Sequence, residues 1–386
     1  MNDVESPQAQ RIDGLAVTGP DGRWVVTRAG LIQVWDGATG ALLHTMPAWY
    51  QTSLRPLVAA AGWVAGVREG PATESDRGGQ FYVDLWNVAT GQLSGGVAHP
   101  SYPIDHDFKH LQPDEPSIAV DPAGRYLFTA SRTGQVVRWD LAAGTNQVVS
   151  PVRHGTVEVE VDPTGEFYAV VNTNNAEFQV RTVADDQLAR PPLTFPDEYF
   201  NRFQLGAGAH WAVGIRDDVD ADDYTFYDLD AGRPTYATED AERTECRYCD
   251  EYHHDEPAGL PLLVGDFVVM GHRYCALQVR RVRTGGLARS LTTDRDGAVM
   301  GAVLAADPAS ELVAAVGDQL TIWNVSSGRN VRNFPTDQES DVDREYDWGQ
   351  VAFAAGGRWV VRALGRRFWV WDLVTGDPVC GPISVG

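Results

Sequence analysis

The chain has 386 residues, 43% of them hydrophobic, with 53 acidic against 31 basic side chains and a formal net charge of −22. That charge opposes contact with nucleic acid or an anionic membrane surface, and no run of 18 apolar residues offers a membrane-spanning helix. Four cysteines make no secreted disulfide framework at this length, and the polar start MNDVESPQAQ lacks an apolar signal core, so a cytoplasmic protein, monomeric on its own, is expected.

After a tail over residues 1–11, one unit repeats to the end of the chain. Each unit has a turn that opens a strand on a large apolar residue, then a phrase ending in a turn. Copy one reads GPDGRW to Trp24 and VWDGATG to Gly40; copy two reads AAGW to Trp63 and LWNVATG to Gly91. Copy three is DPAGRY to Tyr126 and RWDLAAG to Gly144, and copy four is DPTGEF to Phe167 and VRTVADD to Asp186. Copy five is GAGAHW to Trp211 and FYDLDAG to Gly232, and copy six is LVGDF to Phe267 and VRRVRTG to Gly285. Copy seven is DPASEL to Leu312 and IWNVSSG to Gly328, and copy eight is AAGGRW to Trp359 and VWDLVTG to Gly376.

The Trp position holds Trp35, Trp86, Trp139, Arg181, Tyr227, Arg280, Trp323 and Trp371, at steps of 51, 53, 42, 46, 53, 43 and 48. Alternating β-branched and aromatic residues before it read as a strand. The Asp or Asn after it opens a turn, and the glycine accommodates positive φ. A repeat of 40–50 residues ending in Trp-Asp marks a propeller array.

These phrases, in register with their turn glycines, resemble the WD-repeat β-propeller family over about residues 12–384. The resemblance implies an all-β fold, a single closed β-propeller of eight four-stranded antiparallel blades over residues 12–386, and a role as a non-catalytic interaction scaffold. The chain departs from the family in lacking the Gly-His pair before each inner strand, so the hydrogen-bonded tetrad that this His supports is not expected. Seven blades is the alternative, because copies four and six lack the Trp. Residues 378–385 are expected to form the last blade's own outer strand.

With strands a to d running outward from the channel, the d–a and b–c connections share one end of the ring, here called the top. Every long insertion falls there, at about 46–53, 68–79, 98–115, 195–201, 216–223, 238–257 and 335–348. Segments 216–223, 238–257 and 336–347 carry 19 carboxylates against four arginines. Aromatic residues accompany them, so Trp49, Tyr199, Tyr252, Tyr346 and Trp348, with Asp337, Glu339 and Asp341, form a candidate surface for a protein or peptide bearing Arg or Lys. The same rings can equally serve to seal the blade tops.

Cys246, Cys249, His272 and Cys275 have the spacing of a closed structural zinc site, with His253 or His254 as substitutes for His272. Reduced thiols or a Cys246–Cys275 disulfide are the other readings. Asp218, Asp220, Asp222 and Asp223 alternate as in a calcium loop but lack its glycine and closing Glu. His99, Asp105, His106, Asp107 and His110 form a further, geometrically unfixed set. No nucleophile elbow or phosphate loop is present, and Lys109 is the sole lysine. Two functions follow: a scaffold working through its top-face loops, or a metal-dependent enzyme with its site at the channel mouth.

Overall fold

Alternating side chains and recurrent turn glycines generate 32 strands in a computed structural model of the chain. The structure describes residues 12, 14–18, 22–47, 58–60, 62–69, 81–98, 117–130, 135–151, 157–172, 177–195, 202–218, 221–237, 261–270, 277–291, 304–307, 310–316, 319–335, 349–354 and 357–385.

Blade one is β1 (Gly14–Thr18), β2 (Trp24–Arg28), β3 (Leu31–Asp36) and β4 (Leu42–Pro47). Blade two is β5 (Val58–Ala60), β6 (Trp63–Glu69), β7 (Phe81–Asn87) and β8 (Gln92–Ala98). Blade three is β9 (Ser117–Val120), β10 (Tyr126–Ala130), β11 (Gln135–Asp140) and β12 (Thr145–Pro151). Blade four is β13 (Val157–Val161), β14 (Phe167–Asn172), β15 (Glu177–Thr182) and β16 (Leu193–Thr194). Blade five is β17 (Arg202–Leu205), β18 (Trp211–Asp218), β19 (Ala221–Asp228) and β20 (Arg233–Ala237). Blade six is β21 (Leu262–Val264), β22 (Phe267–Met270), β23 (Leu277–Arg281) and β24 (Leu287–Leu291). Blade seven is β25 (Leu304–Asp307), β26 (Leu312–Val316), β27 (Gln319–Asn324) and β28 (Arg329–Pro335). Blade eight is β29 (Gln350–Phe353), β30 (Trp359–Leu364), β31 (Arg367–Asp372) and β32 (Pro378–Ser384).

Each sheet contains four consecutive strands paired in sequence order, so eight blades form, and among the described residues no strand is exchanged between the chain's ends. The last blade takes β32 as its own outer strand, as expected from the sequence. Eight apolar clusters fill the interfaces between neighbouring blades, and one of them joins blade eight to blade one. Closure there is non-covalent: Ile12, Val25, Trp35, Val361, Phe368 and Val385 pack together, and Ile12 N donates to Gly365 O at 2.7 Å.

The five repeat tryptophans are buried, and each packs on the preceding blade: Trp35 meets Phe368 edge-on at 5.4 Å and Trp371 stacks on Phe334 at 5.1 Å. In blades one and three the indole N–H donates to a threonine of the neighbouring strand, Trp35 to Thr27 at 2.9 Å and Trp139 to Thr129 at 3.1 Å.

Copies four and six keep the blade with a different device. Arg181 and Arg280 stand where Trp stands elsewhere, and each guanidinium donates to the carbonyl five residues on, Asp186 O at 2.9 Å and Gly285 O at 3.0 Å. Asp186 holds the turn's left-handed conformation (φ 61), which Asp tolerates better than most residues, and Tyr168 and Arg181 both hold its carboxylate. Tyr168 also supplies the missing ring, stacking on Phe128 at 4.3 Å.

Candidate functional site

Consider first the end of the ring that carries the a–b and c–d turns. In every blade the residue after the turn-opening position of the c–d turn donates its N–H to the a–b turn, from Gly37 N to Arg23 O (2.7 Å) round to Leu373 N to Arg358 O (2.8 Å). The Asp or Asn after the Trp position caps the turn: Asp36 Oδ1 accepts from Ala38 and Thr39, Asp140 Oδ1 from Ala142 and Ala143, and Asp372 Oδ1 from Val374 and Thr375. Those amides, led by Thr375 N–H, hold the Asp372 carboxyl below its ordinary range. For Asp36, burial pushes upward but Arg23 and the Thr39 and Ala38 groups outweigh it.

The same end is stapled from blade to blade. In six blades a β-bulge lies at the Trp position of the c–d pair, leaving one extra residue in the outer strand. A bulge turns the strand and re-aims the next side chain, here toward the following blade. His44 Nε2 donates to Ala89 O at 3.2 Å, Arg332 Nε to Leu373 O at 3.2 Å, and the Cys380 thiol to Gly37 O at 3.1 Å. Burial, with Asp36 nearby, pushes the Cys380 thiol up to about 11. Closer to the axis, Asp162 Oδ2 accepts from Gly208 N of the next blade at 2.8 Å. Short turns, capped and cross-linked, leave this end little freedom to change.

The opposite end carries the b–c and d–a connections. Trp49, Tyr199, Tyr252, Tyr346, Trp348, Asp337, Glu339 and Asp341 all fall there and lie outside the described residues. So do Cys246, Cys249, His253, His254, His272 and Cys275, and the His99–His110 set. What the strands fix is where these segments attach. Leu262 pairs with Val269, so the chain enters β21 from segment 238–261 beside the point where it leaves β22 for segment 271–276. The two halves of the Cys/His set are therefore attached to adjacent strand ends.

Residues 216–223 were expected as a loop, but Asp218 pairs with Ala221, Asp217 with Asp222 and Arg216 with Asp223. The blade-five hairpin runs almost to its tip, so these alternating acids sit on paired strand backbone rather than on a loop that wraps an ion. Extended pairing wins because the alternation that suggests a calcium loop is also the alternation of a strand.

The innermost strands show a feature that the sequence reading passed over. In β13 (VEVEV), Val157, Val159 and Val161 pack into the cluster shared with blade three, while Glu158 and Glu160 lie on the other face, opposite Val171 and Ala169. Desolvation of the half-buried Glu160, with Glu158 alongside, pushes its carboxyl up to about 8. Acids at both alternate positions of an inner strand were the available signal. Among the described residues, no group of three or more His, Cys, Asp or Glu has the arrangement of a metal site.

No protein-family model and no characterised protein matches the chain by sequence. Solved structures match in fold. The computationally designed Ika8 protein is similar over 95% of this chain and 97% of its own, with a TM-score of 0.57 and 16% identity. Dihydro-heme d1 dehydrogenase NirN, solved in complex with DHE, is similar over 98% of this chain and 74% of its own, with a TM-score of 0.56 and 14% identity. With the eight sheets, these likenesses define the class: an eight-bladed β-propeller. At these identities they define the fold alone.

Proposed function

We propose that this protein is a non-catalytic interaction scaffold, a degenerate WD-repeat-like propeller of the cytoplasm that binds a protein or peptide with a basic surface through its acidic, aromatic top-face loops. The observation that carries the reading is the asymmetry between the two ends. One end is reduced to short turns, each tied back by a backbone hydrogen bond. The long connections, with Trp49, Tyr199, Tyr252, Tyr346 and Trp348 among the carboxylates, all leave from the other. Variable loops on a rigid scaffold are where recognition concentrates, and aromatic anchors among acids suit Arg- or Lys-bearing partners.

A structural zinc ion held by Cys246, Cys249, His272 and Cys275 belongs to this reading, supported by the attachment of both segments at adjacent strand ends. Elemental analysis of the purified protein tests it: one zinc per chain is expected, lost when Cys246 and Cys249 are both replaced by Ser. The second reading, a metal-dependent enzyme at the channel mouth, draws support from the two acids Glu158 and Glu160 at alternate positions of an innermost strand, the second with its carboxyl raised to about 8. Affinity capture from the native host decides between the two. A basic protein retained in stoichiometric amount, and released by salt, supports the scaffold. Recovery of no partner, together with turnover that needs an added metal ion, supports the enzyme.

A further inference from the structure

The turn-bearing end is not uniform in charge. In blade six Arg281 and Arg283 are exposed in the c–d turn, and Arg289 follows on the outer strand. Arg281 and Arg289 both lie over the Phe267 ring, at 5.6 and 5.9 Å, and Arg283 lies over Trp211 of blade five at 5.8 Å. Arg289 also rests on Gly328 of blade seven, whose neighbour Arg329 is exposed. Among the described residues no carboxylate is within ion-pair distance of these four guanidiniums, and Arg289 Nε is buried with no hydrogen-bond partner. Of the acids in the flanking turns, Asp230 binds Arg190 and His210, Glu311 takes the Ser326 hydroxyl, and Asp266 is exposed beside Phe267. Exposed Leu287 and Val331 add an apolar margin.

Four unpaired arginines in a chain with so large an excess of carboxylates form a distinct surface. Ring stacking orders the guanidiniums of Arg281, Arg283 and Arg289, and the exposed Arg281 and Arg283 present N–H edges to carboxylates. We propose that this arginine–aromatic platform docks the acidic segment 336–348 (TDQESDVDREYDW) of a second copy of this chain. Charge complementarity argues for that occupant: the segment holds six carboxylates, one arginine, a Tyr and a Trp, and it connects β28 to β29 at the end opposite the platform. The contact joins the top of one copy to the turn-bearing end of the next. It is therefore heterologous and extends by stacking rather than closing as a two-fold dimer. The dilute chain is a monomer, and stacking appears as concentration rises. The inference shares with the proposed function the premise that the acidic loops recognise cations, but the platform is its own element, so the two fail separately.

The test is sedimentation velocity of the full chain across concentration at low and moderate salt. Mass should rise with concentration at low salt, and association should weaken about tenfold or more when salt screens the contact. The variants R281E/R283E and D337R/E339R/D341R, each checked for an unchanged unfolding midpoint, should be monomeric alone. Mixed, they should associate again, because one keeps its acidic segment and the other its platform. A synthetic 336–348 peptide should dissolve the wild-type stacks, and R281E/R283E should still capture the proposed cationic partner. A wild-type chain that stays monomeric at low salt, association that survives R281E/R283E, or a mixture that does not pair overturns the proposal.

Discussion

Gly40 offers a direct probe of how the ring closes. Its φ is +70, and a Cβ there would intrude on Ile383 Cδ1 and sit 3.2 Å from Ile383 Cγ1, on the strand that ends the chain. Gly144 occupies the same turn position in blade three with φ +66, and a Cβ there meets nothing within 4 Å. Replacing Gly144 with Ala therefore costs the left-handed backbone alone, about 1–2 kcal/mol. Gly40→Ala carries that cost and adds overpacking of the seam, about 1–3 kcal/mol more. Ile383 packs in the closure cluster with Trp35 and Phe368, so it has little room to withdraw. Denaturant midpoints of the two variants beside the parent chain give the comparison, with Gly144→Ala as the conformational control. Equal losses in the two variants would show that β32 does not press on blade one, and the seam described here would be wrong.

Three further expectations concern single side chains. Thr27→Val should cost about 1–3 kcal/mol in thermal or chemical unfolding, because the buried Trp35 N–H loses its acceptor; a neutral result would show that the bond contributes nothing. Glu160 ionises near 4.5 when unfolded and near 8 in the fold, so the unfolded chain binds fewer protons between those values and stability falls as pH rises through them. Glu160→Gln should accordingly raise the unfolding midpoint above pH 8 and leave it unchanged below about pH 4.5, and a gain of equal size at both ends would refute the assignment. Cys380, with its thiol raised to about 11 and donating to Gly37 O, should be alkylated at pH 8 about tenfold or more slowly in the folded chain than in denaturant, read on its own peptide by mass spectrometry. Equal rates would place the thiol in open solvent.

Much of this fold was legible because the turn chemistry is local. Asp36, Asp140 and Asp372 cap the turns that their positions after Trp suggest, and the glycines at 40, 91, 144, 232, 285, 328 and 376 all take positive φ. The degenerate copies were countable as blades but not explicable, since nothing local says that Arg181 and Arg280 would cap their own turns or that Tyr168 would replace the lost ring. His44, Arg332 and Cys380 share no residue type, and only the bulge in the c–d pairing reveals them as one stapling position. The error at 216–223 has a plain origin: alternate acids fit a strand and an ion-binding loop equally well until pairing is known. The candidate site was legible only as composition and placement: Asp337, Tyr252 and Cys246 lie outside the described residues, and strand pairing fixes only where their segments attach.

Whether the acidic top-face loops bind a basic partner is decided by quantitative affinity capture from the native host with three baits run side by side. These are the full chain, the D337R/E339R/D341R variant and the R281E/R283E variant, each shown to unfold at the parent midpoint. A basic protein should be retained by the full chain and by R281E/R283E, eluted by salt, and lost from D337R/E339R/D341R. Equal recovery on all three baits would contradict it and return those carboxylates to the role of solvating the ring.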